Sequence, residues 1–245
     1  MKKLMYILMA AAMVCGAVSC KKNEQPQPDP DPNPVPKPTA VDIGLVVDGH
    51  KVLWANCNLG ASLPFEYGNY YCWGETEPRQ YYLYGVNTYK EIPTDVLPLK
   101  NDAANVKLGG KWRMPTKAEL DALVALRDNP DYQWTDWTPY VFGGKTMKDD
   151  KDNTIVGTRI LQKSTNNWIF LPAAGQGDPF GPGTDASLFG CYWSSTPRAE
   201  SYDAYCFWFG LSGDNPADPL EYKILQNLYT NTYLGNSIRP VYVED

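Results

Sequence analysis

The sequence predicts an α+β fold with short antiparallel strands, one clear helix at about 116–127, a second, shorter helix near 102–106, and long loops. Three observations carry this. From Val41 onward, brief aromatic and β-branched runs alternate with loops rich in Gly, Asn, Pro and Asp, the pattern of strands packed on one face. One stretch alone combines a helix start signal with a helical apolar stripe. At 43% hydrophobic and 13% aromatic over 245 residues, the chain is far too apolar for disorder and can build a full core without staples.

The elements follow in chain order. Lys2 and Lys3 precede an apolar run from Leu4 to Val18, too short to cross a bilayer as a stable helix and patterned as a secretory signal. It ends in Ala17-Val18-Ser19-Cys20, which resembles a bacterial lipobox. That resemblance implies cleavage after residue 19, lipidation of Cys20 and a membrane contact made only through the lipid. Losing Lys2 and Lys3 moves the net charge from −6 to −8, which suits a body held off an anionic surface. Residues 20–40 then form the lipidated cysteine and its spacer. Seven prolines occupy every second position from Pro26 to Pro38, where fixed φ and missing donors exclude helix and ladder.

Residues 41–245 form the domain. Strands are expected at Leu45–Val47, Val52–Cys57, Tyr70–Trp73, Ile155–Leu161, Trp168–Pro172, Cys191–Ser194, Ala204–Phe209 and Ile238–Val243. Asp48-Gly49 is a hairpin signal between the first two. Thr116-Lys117-Ala118-Glu119 spells a capping box, and Pro115 keeps Met114 extended. Leu120, Leu123, Val124 and Leu126 give the apolar face. A weaker helical pattern covers Asp102–Val106.

Six motifs in order then resemble one family. They are Trp54–Ala61 with Tyr67–Glu75, Gly110–Thr116, Ile169–Gly175, Gly190–Thr196 and Asn236–Val241. Together they are similar to the Fibrobacter-type major paralogous domain of Bacteroidetes surface proteins, over about residues 42–243. The resemblance implies a fold related to the C-type-lectin-like and sulfatase-modifying-factor domains, with paired sheets, adjacent termini and loops gathered at one end.

The residues restrict the chemistry. Lys and Arg number 22 against 28 Asp and Glu, with one histidine, His50. No basic stripe exists to neutralise phosphates, so nucleic acid is not an expected partner. The lectin-type resemblance would imply calcium, but Trp193-Ser194-Ser195 carries no carboxylate where such domains supply one, and calcium needs 6–8 oxygens. Asp149, Asp150 and Asp152 are the best remaining acidic cluster and read as a solvated loop, because Ile155 and Leu161 replace the turn glycine and bidentate glutamate of an EF-type loop. The sulfatase-modifying relatives use a reactive cysteine pair; Cys191 and Cys206 stand in apolar settings that raise a thiol pKa. Cys57 with Cys72, and Cys191 with Cys206, could be disulfides or buried thiols. Glu75 and Glu77 read as solvated charge, and no cofactor or metal is expected.

Aromatic loops remain. Tyr and Trp give large contact area at low entropic cost. The expected ligand face comprises the loops at 178–189, 196–203 and 211–236, with Arg198, Tyr202, Asp203, Tyr222, Tyr229 and Tyr233 as contacts and Asp185 and Asp214 as added acceptors. The tyrosine loop at 81–89 is the next candidate. The sequence therefore predicts a non-catalytic outer-membrane lipoprotein, exposed at the cell surface, that binds a glycan or protein ligand. The rival is a structural, adhesin or assembly subunit without a small ligand. A sulfatase-modifying-factor-like enzyme comes third.

Overall fold

Asp48 and Gly49 take φ of 51° and 82°, and this left-handed pair turns β1 (Ala40–Val47) back as β2 (His50–Ala55), with Val47 opposite His50. The computed structural model describes residues 36–199, 201–212, 221–225 and 228–244. Beyond that first hairpin come β3 (Tyr70–Tyr71), β4 (Trp112–Arg113), β5 (Tyr132–Pro139), β6 (Val141–Phe142), β7 (Lys145–Thr146), β8 (Val156–Gln162) and β9 (Trp168–Pro172). They are followed by β10 (Gln176–Asp178), β11 (Gly181–Thr184), β12 (Phe189–Pro197), β13 (Asp203–Ser212), β14 (Glu221–Leu225), β15 (Tyr229–Asn231), β16 (Asn236–Ser237) and β17 (Val241–Glu244). The helices are α1 (Ala103–Leu108) and α2 (Lys117–Ala125).

Both helices start where their side chains can satisfy orphan N–H groups. Asp102 caps α1 by accepting from Asn105 N at 3.0 Å, and its second oxygen accepts from Met114 N at 2.8 Å. Thr116 and Glu119 cap α2 reciprocally, and Arg113 clamps Glu119 with two nitrogens at 2.8 and 2.5 Å. After Ala125 the predicted helix tightens into a 3-10 turn, Leu126–Asp128.

Three sheets surround these helices. The first runs β1-β2-β17-β4, the second β14-β13-β12-β16-β3 with β15 also on β13, and the third β5-β8-β9. Ribbons β6-β7 and β10-β11 are separate. The second sheet is buried on both faces. Tyr192, Phe207 and Phe209 join one core with Trp54, Leu123, Ile160 and Val241. Cys191, Trp193 and Cys206 join another with Tyr71, Trp73, Met114 and the alanines of α1. Trp54, Trp73 and Trp193 are buried as core residues, whereas Trp112 and Trp168 are only partly covered.

Several expected boundaries differ. The strand predicted at Ile238–Val243 begins only at Val241, as β17 on β2 and β4; the chain before it pairs as β16, Asn236–Ser237, with β3 and β12 and leaves the ladder over residues 238–240. Pro240 lacks the donor a continuous ladder needs. The stretches expected as loops at 178–189 and 211–236 contain β11 and the last residue of β10, and β14 and β15. Strand β5 was not foreseen, because a bulge between Thr135 and Thr138, with Trp137 at φ 46°, breaks its alternation. The chain from Val35 to Asp245 is one compact unit.

Candidate functional site

Tyr82 organises the site. Gly177 and Gly235 form an antiparallel bridge, and a Cβ on either would overlap the Tyr82 ring. The ring lies fully buried against two stretches of bare backbone. Its hydroxyl donates to the Tyr70 carbonyl at 2.7 Å and accepts from Arg79 N at 3.2 Å, while its own N–H donates to the Asp178 carbonyl at 3.1 Å. The loop is thereby pinned at its middle. Its neighbours Tyr81, Leu83 and Tyr84 stay exposed, Tyr84 to 88%. Tyr233 meets Tyr84 edge to face, with centroids 5.6 Å apart. In the β10–β11 turn, Asp178 Oδ1 accepts from Phe180 N at 2.8 Å, and the Phe180 ring is 87% exposed.

Beside this aromatic rim lies a cleft of about 320 Å³. Tyr67, Asn69 and Tyr70 form one wall, Arg79 and Tyr82 a second, the Asp149–Lys151 turn a third, and Pro182, Gly183 and Ala186 close it. Gly183 has φ 70°, and a Cβ there would stand 3.0 Å from the Tyr70 hydroxyl. The phenols stay protonated near neutrality. Burial raises Tyr67 and Tyr70 and pushes Tyr82 up to about 12. Tyr70 donates to the Ala174 carbonyl at 2.5 Å, and Tyr67 shares a hydrogen with Ser187 at 3.1 Å.

Arg79 separates this cleft from a second one of about 330 Å³, lined by Glu75, Glu77, Lys100 and Asn101. Glu75 is not solvated charge, contrary to expectation. It is buried, bound by two Arg79 nitrogens at 2.5 and 2.7 Å, and accepts from the Thr88 amide at 2.6 Å and hydroxyl at 2.9 Å. Burial pushes its carboxyl up, but the bonds from Arg79 and Thr88 outweigh that and leave it below the usual carboxylate range. Glu77 is exposed, paired to Lys107 at 2.6 Å.

Asp149 turns inward on its own loop, accepting from Lys151 N, Asn153 N and Asn153 Nδ2 at 2.8–3.1 Å. Slight burial raises it, the Asn153 and Lys151 bonds overcome that, and it stays ionised. Asp152 pairs with Lys148 at 2.7 Å. Among the described residues no three His, Cys, Asp or Glu side chains gather where they could share an ion.

The four domain cysteines are free and buried. Burial raises the thiol of Cys57 and pushes Cys72 up to about 12. The thiol of Cys206 beside it, and then burial, raise Cys191. Such thiols are protonated at neutral pH and poor nucleophiles. Cys57 and Cys72 face different carbonyls, those of Ala61 and Tyr233, while Cys191 and Cys206 lie on neighbouring strands β12 and β13.

The residues expected at the ligand face separate into three places. Arg198, Asp203 and Tyr229 do come together. The Arg198 guanidinium lies 3.5 Å from the Tyr229 ring centroid, and one nitrogen reaches Asp203 at 3.3 Å. Tyr202 is exposed next to them. Tyr233 is instead at the aromatic rim with Tyr84. The backbone of Tyr222 lies on β14 opposite Leu211, whereas Tyr229 opposes Tyr205; six residues along β13 separate them by roughly 20 Å. The side chain of Tyr222, and Asp214 and Cys20, lie outside the described residues. Asp185 sits in a turn at φ 59°. No family model, curated protein or solved structure matches the chain.

The cleft was only partly foreseen. The crowd of tyrosines at 81–89 marked one wall. In the sequence Tyr67 and Asn69 belong to a family-like motif, and Arg79 carries no signal, because its partner Glu75 is four residues away in a loop without periodicity.

Proposed function

We propose that this chain is a non-catalytic surface lipoprotein that binds an extracellular glycan or protein ligand, and that the cleft with its aromatic rim is the contact face. The observation that carries this is the exposure of Tyr84 and Phe180, 88% and 87%, on segments held rigid beneath them. Large aromatics are seldom left open beside a polar cleft unless something covers them. The raised Cys72 thiol and the Glu75 carboxylate, already paired bidentately with Arg79, leave this region without a free nucleophile or general base among the described residues, which favours binding over chemistry. The motif resemblance to the major paralogous domain and the lipobox at Cys20 support a tethered, exported protein. The expected ligand face moves accordingly. The Arg198–Tyr229 cluster has its guanidinium and ring satisfied by each other, and the tyrosine loop takes its place.

The test is an array of glycans and extracellular proteins probed with the full chain, its Tyr84→Ala/Phe180→Ala variant and a Tyr202→Ala/Tyr229→Ala variant. The first variant should lose the retained ligand while melting like wild type. Loss only in the second would move the face to the Arg198 end.

A further inference from the structure

The cleft lining is mixed. The half-buried Tyr67 and Asn69, with the backbone, bring polar groups; the Tyr70 hydroxyl, already donating to the Ala174 carbonyl, keeps only acceptor capacity; and Pro78, Pro182 and Ala186 add apolar surface between them. Gly183, having no Cβ, lets the closing ribbon come close to the Tyr70 hydroxyl without a side chain filling the recess between them.

Charge decides between neutral and acidic ligands. Arg79 looks cationic but is already engaged bidentately by the buried Glu75. The other charges in the lining are Lys151, Asp149 and Asp150. The opening therefore carries no surplus positive charge for a sulfate, phosphate or uronate, which would meet two carboxylates against one ammonium. Nor does it offer a cation a ligand set, since Asp149 is occupied by its own loop.

Outside the cleft, Tyr81, Tyr84 and Phe180 expose flat rings. A rigid aromatic face matches the C–H face of a pyranose, while the ring hydroxyls match mixed donors and acceptors. We infer that the ligand of this cleft is a neutral oligosaccharide, bound without metal, with one sugar unit hydrogen-bonded among Tyr67, Asn69 and Tyr70 and the chain continuing over the rings of Tyr84 and Phe180. The inference rests on the reading of the cleft as the binding face and adds the class of ligand to it.

The experiment titrates the full chain, in EDTA, with neutral hexasaccharides of glucose, mannose, xylose and galactose, and with oligogalacturonate and heparin fragments, following aromatic fluorescence at low and high salt. At least one neutral hexasaccharide should bind, with the same Kd at both salt concentrations and after calcium is added. Tyr84→Ala and Phe180→Ala should each weaken it about tenfold. Binding confined to the acidic oligosaccharides, with a Kd that rises in salt, overturns the inference. So does silence from every neutral sugar. In either of these cases the binding reading stands if the Tyr84→Ala/Phe180→Ala variant still loses its array ligand. A neutral sugar whose Kd neither substitution moves overturns both.

Discussion

Arg239 is a buried cation whose hydrogen bonds run to neutral acceptors: Asn58 Oδ1 at 3.0 Å and the carbonyls of Ala55 and Phe170 at 2.9 and 2.7 Å. It stands at the crossing between β16 and β17, so one guanidinium ties the first two sheets to the strand that ends at Pro172. Burial lowers its pKa, and the neighbouring Tyr192 and Cys57 work against that. Removing the side chain strands three acceptors in the interior at about 1–3 kcal/mol each. Arg239→Ala should therefore lose at least about 3 kcal/mol of stability. For a domain of this size that is a fall in Tm of roughly 6–12 °C by calorimetry. A variant that melts like wild type but no longer holds its ligand would make Arg239 a contact instead. This role was legible, because Ile238-Arg239-Pro240 encloses a five-donor group in apolar, donor-poor chain. The Glu75–Arg79 pair was not, since only the folded loop brings the two together.

Elements with local signals were the legible ones. Helix α2 announces itself through Thr116, Glu119 and an apolar face, all within a dozen residues. The β1–β2 hairpin does so through Asp48-Gly49. Strands β14 and β15 depend on pairing with β13 and have no alternation of their own, so a run rich in turn residues concealed them. The ring of Tyr82 against Gly177 and Gly235 is the least visible, because it joins three distant segments. It also makes a sharp prediction. Gly235→Ala forces a Cβ into the Tyr82 ring, an overpacking that costs about 1–3 kcal/mol, and should release the 79–86 loop. Trypsin should then cut at Arg79 faster than in wild type. Gly85→Ala is the control. Gly85 has φ 81° but nothing within 4 Å of its added Cβ, so strain there stays local and Tyr82 keeps its place. Equal cleavage of Gly235→Ala and wild type would mean that the glycine bridge is not what pins the loop.

At the scale of the whole molecule, β1 and β17 flank β2 in one sheet and run the same way, so β1 begins beside Ala55 and β17 ends beside Lys51. The adjacent termini that the family resemblance implies are not what the registers give, because the two ends lie at opposite ends of β2. What holds this arrangement is apolar: two large cores on the two faces of the second sheet. The α+β class was legible because strand composition and one helix signal are local properties. The cleft was not, because its walls come from segments near 67, 79, 150 and 183, and only the sheet order brings them together. The same accounting predicts the response to metal. His50 is exposed, the cysteines are buried, Asp149 is bound to its own loop, and Asp152 is paired with Lys148. Folding energy should then owe nothing to a bound ion. Thermal melts of the full chain in EDTA and in millimolar calcium should coincide within about 2 °C. An ion held at a hundred times its Kd would add about 2.7 kcal/mol, a rise of roughly 5–10 °C for a domain of this length. A shift of that size on adding calcium would contradict the metal-free reading, and its loss in Asp149→Asn, Asp150→Asn or Asp152→Asn would locate the ion on the wall of the cleft.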